Sequence, residues 1–231
     1  MSAAAVSAPA DLSPEALDLS PEAIRLALAP AVIEAVAFDG WHPEAVLAAA
    51  AAHGVAGEAA LYAFGTAPMG WIAAFAARVD ADMAQALPAE LLAGLKVRER
   101  IRRLVAFRLM AWQGREEALR RALAILALPV NVPAALKLGW HSADLMWRLA
   151  GDTATDFNHY TKRTTLAAIY SASLAVMVGD TSDDKADTMA FLDRRIDGVM
   201  RFEKAKARLK PLEGRYFSPV RLLGRLRYPA R

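Results

Sequence analysis

The segment from Leu126 to Tyr170 constrains the fold more than any other part of the chain. Pro129, Asn131 and Pro133 stop one helix and start the next, because proline has no N–H to continue a helix but fits its first turn. Gly151 closes that second helix, and another helical pattern follows directly. The segment therefore predicts helices that meet at sharp corners.

The rest of the chain also has helical spacing and no convincing strand. Apolar residues recur at three- and four-residue intervals between Pro and Gly breaks, and 55% of the 231 residues are hydrophobic, which suffices for a core. The fold class is predicted to be all-α. The predicted helices span 21–38, 43–52, 56–63, 68–87, 88–112, 115–128, 133–150, 153–178 and 181–209.

The helix over 153–178 is predicted to be the central element of a helical bundle, because 164–179 carries no charged residue. Its apolar face lines either a solid core or an apolar cavity, and the pattern leaves both open. The residues of this face are Leu166, Ile169, Tyr170, Leu174 and Met177.

Residues 20–66 have the pattern of a helix-turn-helix, and the stretch GVAGEAALYAFG is similar to the recognition-helix region of TetR transcriptional regulators. A DNA-reading helix needs cations for phosphates and donors for base edges. Residues 56–67 contain no Lys or Arg, and 1–95 hold only Arg25 and Arg78 among the cations. The element is therefore predicted to be a vestigial scaffold that binds no nucleic acid.

Four motifs, LALPVNVP, DLMWRLAGD, TDFNHYTKR and LAAIY, resemble in content and order the ubiquinone-biosynthesis accessory proteins of the Coq-nine family. The resemblance extends from about residue 31 to 208. It implies a TetR-like helical bundle with a larger lipid-binding part, an isoprenoid-lipid pocket and docking onto the di-iron demethoxyubiquinone hydroxylase. The docking residues it implies are Asp144, Met146, Trp147, His159 and Tyr160, with His159 standing where eukaryotic members commonly have tryptophan.

The C-terminal residues 211–231 are predicted to contact a membrane surface reversibly. A short amphipathic helix there would place leucines on one side and arginines on another, and cations near anionic lipid contribute about 1 kcal/mol each. The predicted membrane-binding residues are Val220, Arg221, Leu222, Leu223, Arg225 and Leu226.

Catalytic chemistry has no recognisable basis in this sequence. There is no cysteine, and the four histidines lack metal-ligand spacing. His141 with Asp144, and Asp156 with His159, share helix faces without a third ligand nearby. We expect no catalytic residue, metal or cofactor, and the expected bound ligand is an isoprenoid quinone or a phospholipid. Because residues 1–20 lack Lys and Arg, we also expect a bacterial cytoplasmic protein, peripheral on the inner membrane.

These observations predict four parts: a disordered 1–19, a helix-turn-helix-like 20–66, a lipid-binding bundle over 67–210 and the membrane-contact segment 211–231. The predicted function is non-enzymatic: the chain holds a polyprenyl quinone intermediate and presents it to the hydroxylase. A homodimer is expected. Two alternatives remain open, a TetR-like ligand-responsive transcriptional regulator and an enzyme acting on a prenyl lipid.

Overall fold

The structure, a computed structural model, describes residues 20–153 and 157–213, with backbone alone for residue 157 and for 203–213. Within these ranges the chain forms helices and turns without a strand, so the all-α prediction is confirmed. The helices are α1 Pro21–Asp39, α2 Pro43–Ala52, α3 Gly57–Phe64, α4 Pro68–Ala86, α5 Ala89–Ala93, α6 Val97–Met110, α7 Glu116–Leu126, α8 Val132–Leu149, α9 Phe157–Met177 and α10 Ala186–Glu213.

Local sequence explains how the first helices begin and what they bury. Ser20 caps α1 by accepting a hydrogen bond from the Ala23 N–H at 3.3 Å, and Pro21 occupies the first turn. Helices α1, α2, α3 and α4 pack against one another. The predicted apolar stripe of α4 is confirmed as core, since Trp71, Ile72, Phe75, Val79 and Met83 are all buried.

One predicted helix is divided in the structure. The predicted helix 88–112 breaks between Ala93 and Val97, so that α5 and α6 are separate elements. Arg100 stabilises this break, because its guanidinium donates to the carbonyl oxygens of Ala93 and Leu95, each at 2.8 Å. The backbone carbonyls at the end of α5 thereby gain a side-chain donor.

The last helix begins later than predicted. Asp183 and Asp184 lie in a short 3-10 turn rather than in the first turn of α10. Asp180 organises the junction instead, because its carboxylate accepts hydrogen bonds from the backbone N–H groups of Ser182, at 2.9 Å, and Thr188, at 2.8 Å. Thr188 lies in the first turn of α10, so one carboxylate oxygen of Asp180 caps this helix from a position six residues before it begins.

The chain divides into two compact units, Met1–Leu192 and Asp193–Arg231. The predicted boundary at 66/67, the TetR-like topology and the homodimer are not tested by this division and stay predictions. The predicted disordered residues 1–19 and the predicted membrane-binding residues 220–226 lie outside the described part of the chain. Among the described residues, no single helix is long and apolar enough to cross a membrane, although α3 with α4 and α7 with α8 reach that length as bent pairs.

Candidate functional site

A small pocket of about 90 Å³, open to solvent on one side, lies among α4, α6, α7, α8 and α9. Most of its lining is aliphatic or aromatic, and the polar exceptions are Arg108, Ser142, Tyr170 and Ser171. The apolar lining residues are Ile72, Ala76, Val79, Trp112, Leu119, Ala122, Leu123, Leu126, Ala135, Leu138 and Leu174. A lining of this kind suits an apolar ligand with few polar atoms.

The structure brings some of the predicted lipid-binding residues to this pocket. Tyr170 and Leu174 line it. Leu166 and Met177 are buried, with 2% and 0% of their surface exposed, but they pack outside the lining, and Ile169 is half-buried. The apolar face of α9 therefore contributes to both a solid core and a cavity, the two alternatives that its sequence pattern left open.

Sequence reasoning did not identify the polar group in the pocket wall. Arg108 is only 2% exposed, and its guanidinium pairs with Asp80 on α4 and donates to Ser142 Oγ at 2.8 Å. Its guanidinium carbon also lies 5.1 Å from the centroid of the Tyr170 ring. A signal was present, because Arg108 follows Ile101, Leu104 and Val105 at the spacing of the buried stripe of α6.

A second feature is an aromatic surface where α8 and α9 pack together. The Trp140 ring lies 6.2 Å from the His159 ring and 6.0 Å from the Tyr160 ring, measured between centroids. Tyr160 is 60% exposed. We call Trp140, His159 and Tyr160 the aromatic surface. Trp140 belongs to it although sequence reasoning did not select it; its place seven residues before Trp147 on the same helix was the available signal.

The other predicted docking residues lie at different depths. Asp144 and Trp147 are half-buried, and the Trp147 Nε1–H donates to the Lys162 carbonyl oxygen at 3.1 Å. Met146 is completely buried. The structure therefore does not bring Met146 to the surface with the other four, because its position on α8 faces the core.

An ion-pair cluster beneath the aromatic surface fixes the angle between α8 and α9. Arg163, 2% exposed, donates from Nε to Asp144 Oδ1 at 2.6 Å and from Nη1 to Asp152 Oδ2 at 3.1 Å. The same Nη1 donates to the His159 carbonyl oxygen at 3.2 Å. The Arg163–Asp144 pair therefore joins α9 to α8, the two helices that carry the aromatic surface.

The pairs considered for metal or acid–base chemistry do not form a larger group in the described residues. His141 Nε2 lies 3.9 Å from Asp80 Oδ2, and Asp156 is outside the described residues. No set of three His, Asp or Glu side chains placed to hold a metal ion occurs in the parts of the chain that the structure describes.

The helix-turn-helix-like part presents no cation on its second short helix. The sequence of α3, GEAALYAF, contains no Lys or Arg, and its most exposed large side chain is Tyr62, 81% exposed. A phosphate-contacting surface requires positive charge, so α3 offers no basis for DNA binding.

Fold and site together define a class: an all-α helical protein with an apolar pocket and a neighbouring aromatic surface. Residues 132–203 match the COQ9 family model. Over 186 residues the chain is 37% identical to the Rattus norvegicus protein named ubiquinone biosynthesis protein COQ9, mitochondrial, covering 78% of this chain and 59% of the relative. The resemblance seen in the sequence motifs is confirmed, and the chain belongs to the COQ9 family.

Other relatives match shorter stretches. The Homo sapiens protein of the same name is 50% identical over 80 residues, covering 35% of this chain and 25% of the relative. A Dictyostelium discoideum protein named probable ubiquinone biosynthesis protein coq9, mitochondrial, is 33% identical over 121 residues, covering 51% of this chain and 38% of the relative. In each of these matches the chain spans less than two thirds of the relative's length.

The expected location, the bacterial cytoplasm and inner membrane, is wrong. The relatives are eukaryotic proteins named mitochondrial. This expectation depends only on the absence of Lys and Arg from residues 1–20. Local composition predicts a helix, because helix formation is local, but it does not determine the compartment of a protein. The relatives reported above are not named as transcriptional regulators, and nothing supports that alternative.

Proposed function

We propose that this chain is a non-enzymatic accessory protein of ubiquinone biosynthesis that binds a polyprenyl quinone intermediate and presents it to the demethoxyubiquinone hydroxylase at a membrane surface. The names of its relatives support a role in ubiquinone biosynthesis, and the family resemblance suggests the hydroxylase as the partner. The observation that carries the proposal is the apolar lining of the pocket, to which Tyr170 and Leu174 contribute.

The pocket has a physical role in this proposal. An isoprenoid tail in a bilayer is already removed from water, and each Å² of apolar surface is worth about 25 cal/mol. A protein moves the tail out of the bilayer towards a partner only if contacts with its own apolar side chains compensate for the lost contacts with lipid. Side chains such as Ile72, Val79 and Leu123 supply that replacement.

Mass spectrometry of an organic extract tests the lipid part of the proposal. The protein is purified without detergent beside a mock preparation from the same host. We expect a polyprenyl quinone or a related isoprenoid to co-purify near one molecule per chain. An extract that matches the mock preparation would contradict lipid binding and leave only a docking role.

The aromatic surface is the proposed docking site for the hydroxylase. Tyrosine and tryptophan are enriched among residues that dominate interface energetics, since each buries a large area at a small entropic cost. Tyr160 is exposed. The centroid of its ring lies 6.0 Å from that of Trp140 and 5.2 Å from that of His159. The Arg163 cluster keeps this surface fixed before binding, which lowers the ordering cost of association.

The Tyr160→Ala substitution tests this docking site. Truncation of a dominant interface residue costs about 2 kcal/mol or more, so we expect affinity for the purified hydroxylase to fall about thirtyfold. Tyr62→Ala is the matched control, because Tyr62 is also an exposed tyrosine but lies on α3. Surface plasmon resonance measures both. Equal affinities for the two variants would place the hydroxylase elsewhere.

A further inference from the structure

The corner between α7 and α8 exposes a run of aliphatic side chains. The two helices meet there at 84°, joined by a short 3-10 turn. Val130 is 83% exposed and Leu136 70% exposed, and large apolar side chains grouped at a surface mark an interaction site. We call the exposed side chains of this turn and of the first turns of α8 the apolar corner: Leu128, Val130, Val132 and Leu136.

The apolar corner offers a partner almost no hydrogen-bonding group. Residues 122–136 contain no charged residue, and Asn131 is their single polar residue. Its side-chain amide donates to the Ile125 carbonyl oxygen at 2.9 Å, the N–H groups of Leu128 and Asn131 donate within the turn, and both prolines of the corner lack an N–H. A segment that enters lipid must satisfy its backbone within itself, whereas a protein interface carries about one hydrogen bond per 100–200 Å². The corner therefore fits hydrocarbon better than the surface of a protein.

The charges that flank the apolar corner are positive. Residues 118–143 contain Arg120, Arg121 and Lys137 but no Asp or Glu. Glu117, which precedes this stretch, pairs with both arginines, so one arginine charge and that of Lys137 remain in excess. Lys137 is exposed and directly follows the last residue of the corner. Cations at the edge of an apolar projection complement the anionic headgroups of a lipid surface.

We propose that the apolar corner inserts into the surface of an anionic lipid bilayer, as a contact separate from that of residues 211–231. This inference rests on the proposed function and adds a binding site to it. Leu126, Ala135 and Leu138, from the helices on either side of the corner, line the pocket, so this contact would bring one wall of the pocket to the membrane. A small apolar anchor alone gives marginal binding, and stable binding takes two.

A depth-sensitive label tests the insertion in the full-length protein. The chain has no cysteine, so a single Val130→Cys substitution accepts one nitrobenzoxadiazole label. With vesicles of phosphatidylglycerol and phosphatidylcholine, we expect the emission to rise severalfold and shift to the blue, and lipids with a nitroxide on the acyl chain to quench it. Tyr62→Cys is the matched control, because Tyr62 is 81% exposed on α3, and its label should not respond.

Two substitutions separate the apolar and the charged parts of the contact. Val130→Ser removes a side chain that hydrocarbon would bury, so we expect binding to the same vesicles to weaken about tenfold. Lys137→Gln should weaken it about fivefold and leave binding to pure phosphatidylcholine unchanged. Leu91→Ser, at an exposed leucine of α5, is the control and should match the wild-type chain. Vesicle sedimentation measures all four chains.

Each outcome has a separate meaning. If the label at position 130 stays in water while the chain still binds vesicles, the corner contact is overturned and that of residues 211–231 stands. If its emission changes with protein concentration in the absence of vesicles, a second copy of the chain covers the corner and the proposal is overturned. An emission that is already blue and does not respond to vesicles overturns it in favour of another part of the same chain. If the wild-type chain binds no vesicles, both membrane contacts fail.

Discussion

At the scale of single residues, two buried arginines shape the pocket wall and the base of the aromatic surface. Arg108 and Arg163 are each 2% exposed, and both are held by aspartates from another part of the chain. Burying a cation is costly unless its partners satisfy it. Arg108 consequently defines the polar wall of the pocket, and Arg163 fixes the base of the aromatic surface.

Removing Arg163 is expected to destabilise the fold strongly. Arg163→Met removes the buried partner that Asp144 and Asp152 share, but Arg148 and Lys162 still pair with these carboxylates, so we expect a loss of about 1.5–3 kcal/mol. Arg148→Met is the control. Arg148 pairs with the same Asp144 at 3.1 Å, but its side chain is 57% exposed, so we expect the free energy of unfolding to fall by less than about 1 kcal/mol. Urea unfolding followed by circular dichroism measures both. Similar losses would show that burial is not the deciding difference.

At the scale of elements, the junction between α9 and α10 is set by a single carboxylate and a strained turn. Asp184 and Lys185 adopt positive φ values of 51° and 56°, a region that L-residues seldom occupy. The Lys185 ammonium stabilises this conformation by donating to the Asp180 carbonyl oxygen and by pairing with Glu116, each at 2.7 Å. The direction of the chain after α9 therefore depends on contacts that surround Asp180.

The Asp180 carboxylate is expected to make stability depend on acid pH. Burial raises the pKa of Asp180, but the hydrogen bonds from Ser182 and Thr188 outweigh it and hold that pKa well below its usual range. A lowered folded-state pKa stabilises the fold fully above about pH 4, and this contribution is lost as the pH falls towards the folded value. Asp180→Asn should lower the free energy of unfolding by about 1–3 kcal/mol at pH 7. Below about pH 4 this variant should lose less stability with falling pH than the wild-type chain does.

Asp187→Asn provides the comparison for this prediction. Asp187 lies in the first turn of α10 and its side chain is exposed, so its charge contributes less than about 1 kcal/mol. Urea unfolding at several pH values between about 2 and 7 gives the dependence for each variant. If the wild-type and Asp180→Asn chains lose stability in parallel below pH 4, the carboxylate does not have the assigned role.

At the scale of the whole molecule, charge is distributed very unevenly along the chain. Residues 1–95 hold two Arg against eleven Asp and Glu, and the remainder holds 26 Lys and Arg against 14 Asp and Glu. An anionic surface would attract the second part and repel the first. The proposed membrane contact uses the basic end of this distribution.

Serine substitution of the C-terminal leucines tests the membrane contact. Leu222→Ser, Leu223→Ser and Leu226→Ser together remove the apolar side of the predicted amphipathic segment, and we expect flotation with anionic liposomes to be lost. Leu91→Ser is the control, because Leu91 is 56% exposed on α5. Unchanged flotation of the triple variant would contradict the proposal. Raised salt should weaken wild-type binding if the arginines contribute.

The helices and much of the core follow from the amino-acid sequence alone. Proline and glycine breaks and apolar spacing predict α1 to α4 within two residues, because caps and periodicity are local properties. The family motifs likewise predicted membership in the COQ9 family. Tertiary structure alone decided which positions are pocket, core or surface: Leu174 reached the pocket, Met146 the core and Tyr160 the surface. It also paired Arg108 with Asp80, 28 residues apart, since burial and charge pairing arise only when distant helices pack.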